Sequence, residues 1–324
     1  MSVRRSFAPG AIAAAVAISA IGGMTLGLVS GCSSARPATS RSSPTVGAST
    51  AAAAPAAAAP AAAAPPTSAV GDGRDDRLGA VLWMQTSAEY RALALSAFAR
   101  ARAELDLALK TPTWTAALEQ TGDFAGRPPA VIVDVDETML DNSPYEGDRI
   151  RAGQRYDEAS WHSWVDRATA EAIPGALDFA RYAAAQGVTV FYVTNRAAMY
   201  EEATRTNLRT RGFPVATERD TVLLAGERPE WTSDKGTRRT EVAREFRILL
   251  LVGDDLGDFV SGARALPDER VALAERYADR WQERWILIPN AYYGSWERAL
   301  SGNERGLSDD EVLRRKMARL RGSN

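Results

Sequence analysis

Beyond about residue 77 the apolar residues recur in two alternating rhythms. Leu93, Leu95, Phe98, Leu105 and Leu109 predict a helix running to Lys110, and Thr86-Ser87-Ala88-Glu89 reads as a capping box that opens it. Ala130-Val131-Ile132-Val133 is wholly apolar and β-branched, the signature of a strand buried on both faces, and it ends at Asp134. The pattern then repeats. Pro174 starts a helix that Gly187 ends, and Val188 to Val193 is a second buried strand ending at Thr194. A helix from Ala197 stops at Gly212, and a short strand runs from Thr221 to Leu224. A helix begins near Asp234, and Ile248 to Val252 is an apolar strand ending at Gly253-Asp254. Ile286-Leu287-Ile288 predicts one more strand, followed by two helices.

Strand and helix in alternation argue for an α/β fold with a doubly wound, mainly parallel sheet. Residues 142–172 fit neither rhythm and are rich in Trp, Tyr and charge, so they read as a small helical insertion capping one end of the sheet.

The first 76 residues follow no such rhythm. Arg4 and Arg5 precede an uncharged, small-residue apolar run from Ala11 to Val29, as in a secretory signal peptide. Leu28-Val29-Ser30-Gly31-Cys32 resembles the bacterial lipobox, in which the cysteine is lipidated; an uncleaved anchor with an incidental cysteine is the alternative. Either reading places the rest of the chain outside the cytoplasm, and the lipobox attaches it to the cell envelope through Cys32. Residues 33–76 are Ala, Pro, Ser and Thr repeats, expected to form a flexible tether with a reach of roughly 35–40 Å. The expected division is therefore 1–32 leader, 33–76 tether and 77–324 folded domain.

Composition narrows the chemistry. A net charge of −2 gives no basic excess for a nucleic-acid polymer. One cysteine forms no internal disulfide, and one cysteine with one histidine builds no ordinary zinc site. Carboxylates, hydroxyls, Arg and Lys must carry any reaction. Of 39 basic residues only Lys110, Lys235 and Lys316 are lysines.

In an open α/β sheet, ligands bind beyond the carboxyl ends of the strands. The polar residues predicted there are Asp134, Asp136, Thr194, Asp254, Asp255 and Asp258, with Lys235 at a helix start. Asp134 and Asp136, two residues apart after a buried strand, crowd like charge that a cation such as Mg²⁺ would relieve. Taken singly, each has a plainer reading: an Asp pair with a following Thr as a turn and cap, Thr194 as a turn residue, Lys235 on a solvated helix face.

Taken together, Asp134-Val135-Asp136-Glu137-Thr138, Thr194, Lys235 and Gly253-Asp254-Asp255-Leu256-Gly257-Asp258 resemble the four motifs of the haloacid-dehalogenase superfamily of phosphohydrolases. Longer stretches resemble its class C bacterial acid phosphatases, the lipoprotein 5′-nucleotidases of the envelope. These are residues 83–90, 134–145, 191–196, 233–239 and 293–297. The resemblance implies a Mg²⁺-dependent phosphomonoesterase acting on nucleoside monophosphates and other organic monoesters through an aspartyl-phosphate. Asp134 would be the nucleophile, and Asp136 the general acid and base that also offers its carbonyl to the metal. Thr194, the Asn195 amide and Lys235 would hold the phosphate. Asp254 would bind the metal directly and Asp258 through water. Trp161 and Tyr293 would stack on the base, with Trp164 and Tyr292 as alternatives, and His162 is expected to be a surface or packing residue. The family also suggests a homodimer. The rivals are a phosphotransferase or narrow sugar phosphatase on the same site, and a lipoprotein that binds its ligand without turnover.

Overall fold

The structure, a computed structural model, describes residues 75–322. The expected leader with Cys32, and the tether up to residue 74, lie outside the described residues. In chain order the domain runs α1 (Leu78–Thr86), α2 (Ala88–Lys110), β1 (Pro129–Val133), β2 (Leu140–Asp141), α3 (Ser143–Arg151), α4 (Glu158–Asp166), β3 (Glu171–Ala172), α5 (Ala176–Ala185), β4 (Thr189–Ala197), α6 (Glu201–Arg211), β5 (Val222–Ala225), α7 (Gly236–Glu245), β6 (Arg247–Gly253), α8 (Pro267–Arg276), α9 (Arg280–Glu283), β7 (Trp285–Leu287), α10 (Ser295–Leu300) and α11 (Asp309–Arg319). Among the described residues no helix is long and apolar enough to cross a membrane.

Five strands form one parallel sheet in the order β5-β4-β1-β6-β7. Leaving aside the two-residue strands β2 and β3, this is the 3-2-1-4-5 order of a doubly wound sheet. Its topological switch point lies at β1, whose two neighbours feed crossovers on opposite sides. Both faces are covered, which is why the strands read as continuous apolar runs. Val131, Val133, Val190 and Tyr192 face one core layer with Phe98 and Phe179 of α2 and α5. Ala130, Ile132, Phe191 and Val193 face the other, with Val242 of α7, Phe259 and Trp285.

The first long helix starts one residue later than its sequence suggests. Ser87, not Thr86, is the N-cap and accepts from the Tyr90 amide, while Thr86 ends α1, an unforeseen helix. Its buried stripe is Tyr90, Ala94, Phe98, Ala101, Leu105 and Ala108, whereas Leu93 and Leu95 are 51% and 42% exposed. Alanines make up half of that stripe, so burial along the helix does not follow side-chain hydropathy alone. Strand β4 also extends past Thr194 to Ala197, and its pairing with β5 shifts register between those two residues. That irregularity re-aims the backbone at the carboxyl edge, where bulges redirect side chains.

Residues 142–172 hold α3 and α4. The segment is closed at its base by the antiparallel pairs Leu140 with Ala172 and Asp141 with Glu171. Aromatic edges join its two helices: Tyr145 meets Trp161 with ring centroids 5.3 Å apart, and its hydroxyl lies 3.0 Å from Ser160 Oγ.

Candidate active site

Strand β1 delivers Asp134 to the carboxyl edge, where its amide donates to the carbonyl of Val252 on β6 at 2.9 Å. The β6 end delivers Gly253 and Asp254. Gly253 is required by the packing: a Cβ there would overlap the Asp258 carboxylate. Asp134, Asp254 and Asp258 therefore converge, with one carboxylate oxygen of each within 4.8 Å of the others. Lys235, just before α7, reaches the same point. Its ammonium donates to Asp134 and, at 2.6 Å, to Asp258. It is the only lysine within this cluster, and it is buried at 3% exposure.

Electrostatics follow from this crowding. Burial raises the Asp134 carboxyl to about 7, with Lys235 opposing and Asp258 and Asp136 adding to the rise. Asp254 is pushed well up by burial and by the charges of Asp258 and Asp134, against a bond from Asn290 Nδ2 at 2.9 Å. Thr138 Oγ1 donates to its other oxygen, also at 2.9 Å. Fully ionised, the three carboxylates would face one ammonium and leave two negative charges uncompensated, which is why their protons are held so tightly. Its donors are all oxygens, and a divalent cation fits both the charge deficit and the ligand chemistry.

Asp136 faces a second cation. Arg196 grips it from Nε at 3.0 and 3.2 Å and from Nη2 at 2.8 Å, and Asn142 Nδ2 donates to it at 2.9 Å. Neither Arg196 nor Asn142 stands out in the sequence. Arg196 is one of many arginines, and Asn142 only opens the aperiodic segment 142–172. Asn142 is nevertheless a hub, because its Oδ1 accepts from Trp164 Nε1 at 2.8 Å. Trp164 is thereby committed to the core of the insertion. Trp161 remains on the cleft wall, with the Arg196 guanidinium 5.6 Å from its ring centroid.

Glu137 does not stand out in the sequence either. It is fully buried with a left-handed backbone (φ 56°), a conformation that costs a non-glycine residue about 1–3 kcal/mol. Burial pushes its carboxyl up to about 8, with Asp136 adding to the rise. The Asn142 amide donates to it at 2.7 Å, and so does the hydroxyl of Tyr293, which ties that predicted stacking residue to the back of the site. Tyr293 lines the cleft and packs on buried Tyr292.

Thr194 sits behind Asp136, whereas Asn195 is exposed on the cleft wall. Thr194 is wholly buried, and its Oγ1 accepts from the Arg196 amide at 3.1 Å and lies 3.5 Å from Asp136 Oδ2. The Asn195 side chain donates to Ser233 O at 3.1 Å and accepts from Arg238 Nη2 at 2.6 Å, and the residue lines the cleft. Asp255 turns away from the cluster and accepts from Ser295 N and Oγ, both at 2.6 Å. His162 is on the surface, pairing with Asp166 at 3.0 Å.

The cleft above these groups encloses about 620 Å³. The carboxylates at its rim are paired as well: Glu146 with Arg77 at 2.6 Å, and Glu297 with Lys316. Asp234 accepts from Ser261 Oγ at 2.7 Å and from the Gly236 amide at 2.8 Å. The arrangement places a buried carboxylate, a second carboxylate held by a guanidinium, a buried ammonium and a triad of carboxylates that could hold a cation around one open volume. That set suits attack on a phosphoryl centre.

Comparison with known proteins agrees with this geometry. Residues 42–296 match the family described as HAD superfamily, subfamily IIIB (acid phosphatase). The class C acid phosphatase of Bacillus anthracis superposes with a TM-score of 0.68 at 32% identity, covering 76% of this chain and 98% of that one. Its tungstate-bound form gives 0.67 at 31% over the same shares. Acid phosphatase 1 of Solanum lycopersicum is 30% identical over 136 residues, 41% of this chain and 52% of that protein. A stem 31 kDa glycoprotein of Glycine max is 25% identical over 137 residues, 41% of this chain and 53% of its own length. The chain thus spans about half the length of the curated relatives it matches.

Proposed function

The chain belongs to subfamily IIIB of the HAD superfamily, the acid phosphatases, and on that premise we propose that it is a Mg²⁺-dependent phosphomonoesterase of nucleotide-like substrates. The observation that carries the reading is the convergence of Asp134, Asp254 and Asp258 within 4.8 Å beside Lys235, at the carboxyl end of the central strand.

Asp134 attacks phosphorus and the ester oxygen leaves, giving an aspartyl-phosphate. Asp136, oriented by Arg196 and Asn142, protonates the leaving oxygen and then takes a proton from the water that hydrolyses the intermediate. Lys235 and the backbone at Asn195 hold the phosphoryl oxygens, and Thr194 supports Asp136 from behind. Asp134, Asp254 and the Asp136 carbonyl would hold the Mg²⁺, with Asp258 acting through water, and the ion would supply Lewis-acid chemistry that lowers the repulsion between two anions. Trp161 and Tyr293 offer aromatic surface to a base or ring, and stacking accepts any base. The tungstate held by the Bacillus anthracis relative, an oxyanion like phosphate, supports this use of the cleft.

Outside the described residues, the lipobox-like ending at Cys32 supports attachment to the cell envelope. We read the assembly as a homodimer on family grounds.

The test is phosphate release from a panel of monoesters by the folded domain, with Mg²⁺ and with chelator. Asp134→Asn should abolish turnover and leave the fold intact. Wild-type activity in that variant, or indifference to chelator, would refute the assignment. The same panel separates a nucleotidase from a narrow sugar phosphatase, and an alcohol acceptor reveals any phosphotransfer.

A further inference from the structure

The cleft carries positive charge that the phosphoryl site does not use. Every carboxylate described above on its wall has a partner, but two cations do not. Arg264 and Arg298 both line the cleft and both are exposed. Among the described residues neither guanidinium has an ion-pair or hydrogen-bond partner, although most arginines around the site are engaged in this way.

Their backbones are nonetheless locked together. Arg270 Nη1 donates to the carbonyl of Ala263, the residue before Arg264, and at 2.6 Å to Ser295 Oγ, one turn before Arg298 on α10. Asp255 holds the same serine through its amide and hydroxyl. On the other side, Ser261 Oγ and the Gly262 amide donate to Asp234, next to Lys235, at 2.7 and 3.3 Å. Both arginine-bearing segments are therefore fastened to each other and to the turns that carry Asp258 and Lys235. Arg270 is itself depressed by burial, against the opposing charge of Asp255, and Arg298 adds a smaller like-charge effect, so Arg298 is felt at this corner. Guanidinium pairs on a fixed frame suit phosphate or carboxylate oxygens.

We propose that Arg264 and Arg298 form a subsite for a second anionic group, phosphate or carboxylate, on the leaving-group side of the substrate. The enzyme then favours phosphomonoesters that carry such a group over those that lack it. This rests on the phosphomonoesterase reading and adds to it a specificity that the catalytic carboxylates do not determine.

The measurement is kcat/KM for two matched pairs, with Mg²⁺ present. These are adenosine 3′,5′-bisphosphate against adenosine 5′-monophosphate, and 3-phosphoglycerate against glycerol 3-phosphate. The first pair tests a phosphate and the second a carboxylate, and chromatography identifies which phosphate leaves. In the wild type the ratio should exceed one for at least one pair. In the double variant Arg264→Gln/Arg298→Gln that ratio should fall about tenfold, and added salt should erode the wild-type preference in the same direction. A wild-type ratio at or below one for both pairs, a ratio unmoved by the variant, or an equal loss on both members of a pair would overturn the subsite. No release from any of the four compounds would instead sink the phosphatase reading beneath it.

Discussion

Replacing Lys235 by Met removes the one cation in the acidic cluster and tests the electrostatic logic of the site. Fully ionised, Asp134, Asp254 and Asp258 would leave two uncompensated negative charges beside the ammonium and three without it. Deleting one partner of a buried ion pair costs about 3–5 kcal/mol, against a total stability of about 5–15 kcal/mol for a typical domain. The size of the deficit should depend on pH. The Asp134 carboxyl lies at about 7 in the fold against an ordinary 3.8, so the folded state binds its proton more tightly. Stability from this group is fully present below about pH 4 and is lost as pH rises through 7. Lys235 opposes that loss, so the variant should suffer little at pH 4.5 and most at pH 8. Mg²⁺ should restore part of the deficit by supplying charge to the same oxygens. Urea unfolding followed by tryptophan fluorescence, in chelator and in Mg²⁺, reads all three effects. A deficit equal at both pH values and indifferent to Mg²⁺ would refute the reasoning. Turnover should also fall, by roughly 10²–10³-fold, because a preorganised charge at the phosphoryl group is lost.

Asn142→Ala leaves Trp164 Nε1 without its acceptor and removes one donor from Asp136, so kcat should drop together with about 1–3 kcal/mol of stability. A variant with unchanged kcat would separate Asn142 from the chemistry. Trp161→Ala should raise KM for nucleoside monophosphates more than for glycerol phosphate, by the roughly 1–3 kcal/mol of one stacked base; equal effects on both would remove Trp161 from base binding. Glu227 has a buried Oε1 with no hydrogen-bond partner, and burial pushes its carboxyl up to about 7 from 4.5. Its stability contribution is lost as pH rises across that window. Glu227→Gln should therefore be more stable than wild type above pH 7, by about 1 kcal/mol after solvent screening, with the gap closing below pH 4.5. A gap that persists at pH 4 would show that the effect is not titration.

The order of elements, the parallel sheet and the acidic turns were legible in the chain because they are local. An apolar β-branched run ending in Asp134, another ending in Gly253-Asp254, and a lone lysine at a helix start each announce themselves within a few residues. Membership of the family could be read from the same motifs. Other features depend on long-range packing, to which local periodicity is blind. The buried face of α2 kept Phe98 and Leu105 but took Ala94, Ala101 and Ala108 where Leu93 and Leu95 were expected, a choice set by what the helix packs against. Arg196 became the grip on Asp136 through a register shift in β4, and Asn142 became a hub once the insertion folded back through the β2–β3 pairs. Glu137 met Tyr293 across 156 residues. Such contacts arise only when distant segments share one wall. A residue's role in a buried polar network is set by the partners that the fold brings to it, and a single sequence does not record them.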